Sequence, residues 1–347
     1  MEVLSKKRVL QTASPFYPGQ PVPANLFVGR AAELKRIERT LLQVSSGRQR
    51  ALYLAGDYGM GKSSLTNYLS YLARASYDLL PVHVMLGGAN DLESVATRTV
   101  EAIIQASSVS PTLKDKTQFF LGRYLNKQDM FGFTLNLEAL RADAPGLTSG
   151  FLPFLGNYFD WIRDEHTRGL VLVFDEIDSI SEQAAFAHFL KTLVDSNGVN
   201  NRPLPILTVL CGVEERRQAL INFHNSIDRI FEVIDIRPLS HEESIEFFNR
   251  AFQKAGIEVH PQAVELMAFY GKGLPKVIHI IGESVFWAAN GEPVTVDIAL
   301  EGIMAAADEV RRRFVDEQVY KVMRAADYKG FLSKMTTTNT FQNPFLA

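Results

Sequence analysis

Three observations predict an α/β fold: a parallel sheet flanked by helices, followed by a small all-helical domain. Short apolar runs alternate with segments of helical periodicity from Arg50 to about Pro238. A glycine-rich turn stands between one such run and an amphipathic stretch, and beyond Ser240 the strand signal fades while helical periodicity continues to about Tyr320. Alternation of this kind signals a parallel sheet, because parallel strands need long crossovers and helices supply them.

Taken in order, residues 1–25 read as an extended arm: "QTASPFYPGQPVPAN" carries Pro15, Pro18, Pro21 and Pro23, each fixing its own φ and pushing its predecessor toward extended geometry. From Ala31 to Leu42 the residues Leu34, Ile37, Leu41 and Leu42 recur at helical spacing, so a helix begins just after "FVGR". "RALYLAG" (Arg50 to Gly56) suits a buried strand ending in glycine, and beyond the turn Leu65, Tyr68, Leu69 and Leu72 mark one face of a helix. "LLPVHVML" (Leu79 to Leu86) reads as the next strand and "DLESVATRTVEAIIQAS" as the next helix.

Between Phe119 and Gly150 the rhythm changes, and the period-two alternation of "MFGFTLNLEAL" predicts an inserted strand over Phe131 to Leu137. "GLVLVFDEIDSI" (Gly169 to Ile180) and "LPILTVLCG" (Leu204 to Gly212) return to buried strands. A boundary near Pro238 separates an α/β core of residues 26–238 from a helical domain of residues 239–315, with a C-terminal helix and tail over 316–347.

With 347 residues, 46% of them hydrophobic, the chain can bury a substantial core. A net charge of -3 argues against a bulk basic field for nucleic acid and leaves only local patches. Cys211 is the single cysteine, which excludes an intrachain disulfide or thiolate cluster. No apolar run approaches the roughly 18 residues of a membrane span, and the N-terminal stretch lacks an apolar core of signal-peptide length. A cytoplasmic chain that makes no membrane contact is the expectation.

The turn itself is "GDYGMGKSS", Gly56 to Ser64, which completes G-x-x-x-x-G-K-[ST]. In that pattern backbone N–H groups surround phosphate oxygens at a helix N-terminus. Gly56, Gly59 and Gly61 let the backbone approach; Asp57, Tyr58, Met60 and Ser64 complete the loop; Lys62 reaches the outer phosphates; the Ser63 hydroxyl ligates magnesium. A second motif, "LVLVFDEID", sets Asp175 and Glu176 at the end of a buried strand, where an acidic pair has little structural use. Asp175 is the magnesium-binding candidate and Glu176 the residue that orients the attacking water. Asp178 is either a further polar contributor or a cap for the following helix. A nucleoside triphosphate and Mg2+ are therefore the expected ligands.

Together "LFVGRAAEL", "GDYGMGKSS", "LVFDEID" and "GLPKVIHIIGESVFWA" resemble the AAA+ branch that contains replication-origin initiator ATPases, transposition-regulator ATPases and the related STAND signalling ATPases. The resemblance covers about residues 15–290. It implies that the nucleotide is ATP, bound at subunit interfaces of a homo-oligomer, with a helical lid after the ATPase core. It also implies that Val28, Gly29 and Arg30 lie near the adenine, and that Lys276 of "GLPK" is a sensor reaching the phosphates. Lysine there departs from the arginine more usual in the family and offers no bidentate fork. Arg229 matches the arginine that enters a neighbouring subunit's site, with Arg216 and Arg217 as rivals. The polar residue expected at the end of the fourth strand falls among Thr208, Cys211 and Glu214. An ATP-driven switch acting on double-stranded DNA or a DNA-acting partner is the function implied, and a signalling ATPase acting on protein partners is the alternative.

Weaker signals sort themselves by spacing. "HEESI" from His241 lacks the second histidine of a zinc-protease helix; Ser240 and Glu243 instead have the S-x-x-E spacing of a capping box. Basic clusters at Lys6 to Arg8, at Arg48 and Arg50, and at Arg311 to Arg313 could grip phosphates or simply be solvated.

Overall fold

The computed structural model describes residues 13–124, 147–163, 167–200 and 202–313. The described residues divide into two compact units at Pro238/Leu239, and the segment before Pro21 groups with the second. The first unit holds a five-stranded sheet ordered β2-β3-β4-β1-β5: β1 (Arg50–Ala55), β2 (Leu79–Met85), β3 (Gly169–Asp175), β4 (Ile206–Gly212) and β5 (Glu232–Asp235). Every pairing is parallel. β3 and β4 are buried along their whole lengths, which is why they read as continuous apolar runs: a parallel strand is covered on both faces.

On one face α1 (Ala31–Ser45) and α2 (Lys62–Tyr77) press Ile37, Leu41, Leu65 and Leu69 onto Leu52, Leu54, Val173 and Val209. The other face is covered by α3 (Leu92–Ser107), α4 (Pro111–Tyr124), α5 (Leu147–Ile162) and α6 (Ala184–Gly198), over Tyr53, Leu172, Phe174 and Leu210. Two short helices, α7 (Glu214–Phe223) and α8 (Ile227–Ile230), lead from β4 to β5. The alternating stretch Phe131 to Leu137 lies outside the described residues. Its flanks are helical: Phe119–Tyr124 ends α4 and Leu147–Gly150 begins α5, and Phe120 packs on Phe154 and Tyr158 between them.

The second unit contains α9 (His241–Lys254), α10 (Pro261–Gly271), α11 (Pro275–Ala289) and α12 (Val296–Val310). The capping box is present: Ser240 Oγ accepts the Glu243 N–H at 3.1 Å, and the Glu243 carboxylate accepts the Ser240 N–H at 2.8 Å. Part of the proline-rich arm is built into this unit. Phe16 is only 3% exposed, its ring centroid 5.1 Å from that of Phe252 and 6.0 Å from that of Phe247. Gly282 is obligatory beneath it, because a β-carbon there would strike the Phe16 ring. Tyr17 N–H donates to His279 Nδ1 at 3.0 Å, so buried His279 accepts and is neutral, and burial lowers its pKa to about 4.

Candidate functional site

The register places the carboxyl ends of β1, β3 and β4 on one edge of the sheet, with Ala55 opposite Gly212 and Phe174 opposite Leu210. Loops leaving that edge carry the candidate residues. Gly56 to Gly61 turn from β1 into α2, with Gly59 at φ 83° and Gly61 at φ 86°, a left-handed geometry that glycine adopts without a Cβ clash. Gly56 has no room for a side chain, since a β-carbon would come 2.9 Å from the Ile236 carbonyl oxygen.

Arg30 fixes this loop from behind. It is 5% exposed, holds φ 64° at the start of α1, and donates to the Met60 carbonyl at 2.7 Å and the Arg237 carbonyl at 2.5 Å. The family resemblance implies that Arg30 lies near the adenine; its guanidinium is engaged with backbone carbonyls, tying the phosphate loop to the segment after β5. Val28 is buried and Gly29 has φ 75° in the same turn. Ser64 Oγ accepts the Val22 N–H at 3.1 Å, anchoring the end of the arm to α2.

Lys62 Nζ donates to the carbonyls of Gly56 at 2.6 Å and Asp57 at 3.0 Å, so its ammonium is held over the loop. Burial lowers its pKa, opposed by the negative charges of Asp175, Asp178 and Asp57. Asp175, 3% exposed, ends β3. Burial raises the pKa of its carboxyl, but hydrogen bonds from His83, Ser63 and the Glu176 N–H outweigh burial and leave it below the usual carboxylate value. An ionised carboxylate beside a serine hydroxyl is the hard-oxygen pair suited to magnesium, which takes one or two protein ligands and completes its shell with phosphates and water. No cluster of three or more His, Cys, Asp or Glu able to hold a metal occurs among the described residues.

Glu176 has φ 56° and its N–H reaches Asp175 Oδ1 at 2.9 Å. This left-handed turn leaves Glu176 exposed while Asp175 is buried. Its carboxylate lies against Gly87, where any β-carbon would collide with Oε2. Among the three candidates on or just beyond β4, Cys211 shares the α2 face and feels the Asp175 and Lys62 charges. Glu214 is held by Arg217 and Gln218, and Thr208 alternates to the opposite face from Cys211. Burial pushes the Cys211 thiol up, so it acts as a neutral group. Tyr58, 69% exposed, donates to Asp178 at 2.8 Å, and Arg216 pairs with Asp178 at 3.5 Å and with Glu182.

The arginines separate. Arg216 is bound as above, Arg217 is paired with Glu214 and with Asp228 at 2.6 Å, and Arg229 in α8 is exposed with no side-chain ion pair or hydrogen bond among the described residues. Lys276 is the second residue of α11, its pKa lowered by burial and then by Arg313. Two residues at the site escaped sequence reasoning, His83 and Gly87. A histidine inside the apolar run of β2 was the available signal for the first; the second had none.

A family model described as an AAA ATPase domain matches residues 26–209, more than half of the chain. No curated protein matches significantly. Solved structures share the fold. A Walker-type ATPase of Pyrococcus abyssi is 17% identical, with TM-score 0.53 over 86% of this chain and 80% of that one. The Aeropyrum pernix ORC2 protein, solved in ADPNP–ADP complexes, is 13% identical, with TM-score 0.58 over 84% of this chain and 71% of that one. A mutant RuvB of Thermotoga maritima is 14% identical, with TM-score 0.50 over 82% of this chain and 73% of that one. No helix among the described residues is long and apolar enough to cross a membrane.

Proposed function

Because the chain belongs to the AAA ATPase family, we propose that it binds ATP with Mg2+ at the Gly56–Ser64 loop, hydrolyses the β–γ phosphoanhydride, and uses nucleotide state to control self-assembly and its grip on DNA or a DNA-acting partner. The observation that carries the chemistry is the convergence of Lys62, Ser63 and a buried, ionised Asp175 at one edge of the sheet. Magnesium supplies charge neutralisation on the outer phosphates. Lys62 exchanges its loop carbonyls for phosphate oxygens, Ser63 and Asp175 hold the metal, and Glu176 orients and polarises the attacking water.

Assembly is supported by Arg229. An exposed guanidinium with no side-chain ion pair or hydrogen bond among the described residues is placed to stabilise phosphoryl charge in a neighbouring protomer, whereas Arg216 and Arg217 are neutralised by Glu182, Glu214 and Asp228. Lys276 in the helical unit is the sensor candidate. The DNA half of the proposal rests on the resemblance to replication initiators and on the local basic clusters. One observation favours the alternative, a switch acting on protein partners: Arg311 and Arg312 pair with Asp308, and Arg313 with Glu309, all at 3.2 Å or less.

The test is light scattering of Glu176→Gln with ATP and Mg2+, with and without double-stranded DNA. Large assemblies that need DNA support the DNA-loaded switch, and Arg229→Ala should abolish them. Assemblies formed with ATP alone favour protein partners, and absence of nucleotide binding would refute the proposal.

A further inference from the structure

We infer that His83 is a positioning residue for the magnesium-binding carboxylate, an inference that rests on the ATP–Mg2+ reading above. His83 comes from β2, where it stands opposite Val173, while Met85 stands opposite Asp175. Paired residues share a face of the sheet, and side chains two apart along a strand share it too. His83 is therefore the diagonal neighbour of Asp175, and its ring reaches toward the strand end, with Nε2 at 3.4 Å from Asp175 Oδ2.

A carboxylate oxygen can only accept, so Nε2 carries the proton and donates. The Glu176 N–H occupies Oδ1 at 2.9 Å. Asp175 is thus held at both oxygens by this chain before any cation arrives. The side chain of Asp175 is 4% exposed and that of His83 is 26% exposed. The open side of the imidazole borders a surface cleft of about 560 Å³, shared with Arg74 and Tyr71 of α2.

The physical need is specific. A buried carboxylate that must bind a divalent cation has to remain ionised and keep a lone pair directed at the metal. Donors that bind the carboxylate from the protein side set the direction of the remaining lone pairs, as outer-shell partners of metal ligands do generally. Nothing else in β2 can perform this task, since its remaining residues Leu79 to Val84 are apolar and Met85 offers no donor.

The test compares His83→Leu, which keeps bulk without a donor, with His83→Gln, whose amide nitrogen can occupy the place of Nε2. Binding of a fluorescent ATP analogue is titrated with Mg2+, and repeated in EDTA to obtain metal-free affinity. The Leu variant is expected to need about 10-fold more Mg2+ for half-maximal tightening, with metal-free affinity within about 2-fold of wild type; the Gln variant should recover most of the loss. A Leu variant with the wild-type Mg2+ midpoint, an equal loss with and without metal, or a Gln variant no better than Leu would each overturn the positioning role. If the Leu variant does not fold, His83→Asn replaces it: its shorter amide cannot reach, so a midpoint equal to that of Gln counts against the inference. A wild-type chain that binds nucleotide without any Mg2+ dependence would instead overturn the ATP–Mg2+ reading beneath it.

Discussion

The phosphate-loop edge of the α/β unit and the helical unit solve opposite problems with the same kinds of residue. At the loop edge, charged groups are buried and held by donors or backbone carbonyls, and non-glycine residues sit at positive φ: Arg30 at 64° and Glu176 at 56°. In the helical unit the buried groups are mainly apolar, its one buried histidine is neutral, and its charges pair with each other at the surface. Positive φ occurs there at Lys272 and Asn290, both directly after helices, where a left-handed residue ends a helix in the ordinary way. Left-handed backbone at a strand end beside a buried carboxylate has no such ordinary use, and the strain coincides with the proposed site.

The largest effect should come from the loop edge. Glu176→Gln preserves shape and removes the charge proposed to polarise water, so phosphate release should fall by about 10²–10⁴-fold while binding of a fluorescent ATP analogue persists. Comparable loss of both would make Glu176 a structural residue and erase the contrast.

Next comes the helical unit, where the sensitive residue is aromatic. Phe16→Ala removes a ring buried against Phe247, Phe252 and Gly282, at an expected cost of about 3–5 kcal/mol. Hydrogen exchange should show protection lost in α9 and α11 and kept in β1 and β3. Uniform loss across both units would mean that they unfold as one body.

How much of this was legible follows from what each residue answers to. Strands β1, β3 and β4 were readable because burial on both faces leaves only apolar residues, and against that background Asp175 and Glu176 stand out. The loop was readable because its chemistry requires fixed spacing. The tie that Arg30 makes between backbone segments was not, because it runs to the carbonyls of Met60 and Arg237, and carbonyls carry no sequence signature. Phe16 was hidden for a similar reason: one aromatic in a proline-rich stretch has no periodicity, and its complement is the missing side chain of Gly282. The flanks of the inserted segment were harder to read, because the change of rhythm after Phe119 does not mark where α4 ends at Tyr124.

Acid should separate the units further. His279 has a folded pKa of about 4 against 6.5 unfolded. Between those values the unfolded chain takes a proton that the native one refuses, so stability is complete above about pH 6.5 and falls as the pH drops toward 4. The loss from this residue is on the order of 3 kcal/mol. Urea midpoints for the helical unit should drop between pH 7 and pH 5, and His279→Asn, whose side-chain oxygen takes the place of Nδ1 and can still accept the Tyr17 N–H, should flatten that drop. An unchanged slope in the variant would assign the acid sensitivity to other groups.

The smallest and most discriminating change is Arg30→Lys. Lysine keeps the charge, but one ammonium cannot reproduce the planar fork that reaches two carbonyls on segments far apart in sequence. Losing one charge-assisted bond should cost about 1–2 kcal/mol of global stability. If the guanidinium shapes the phosphate loop, ATP affinity should weaken several-fold along with that loss, because the Met60 carbonyl it holds belongs to the loop itself. If Arg30 instead serves the adenine, stability should stay near wild type while ATP and GTP lose their difference in affinity. The two outcomes differ in which observable moves, so a melting curve and two binding titrations decide whether this edge is built for its own geometry or for the base.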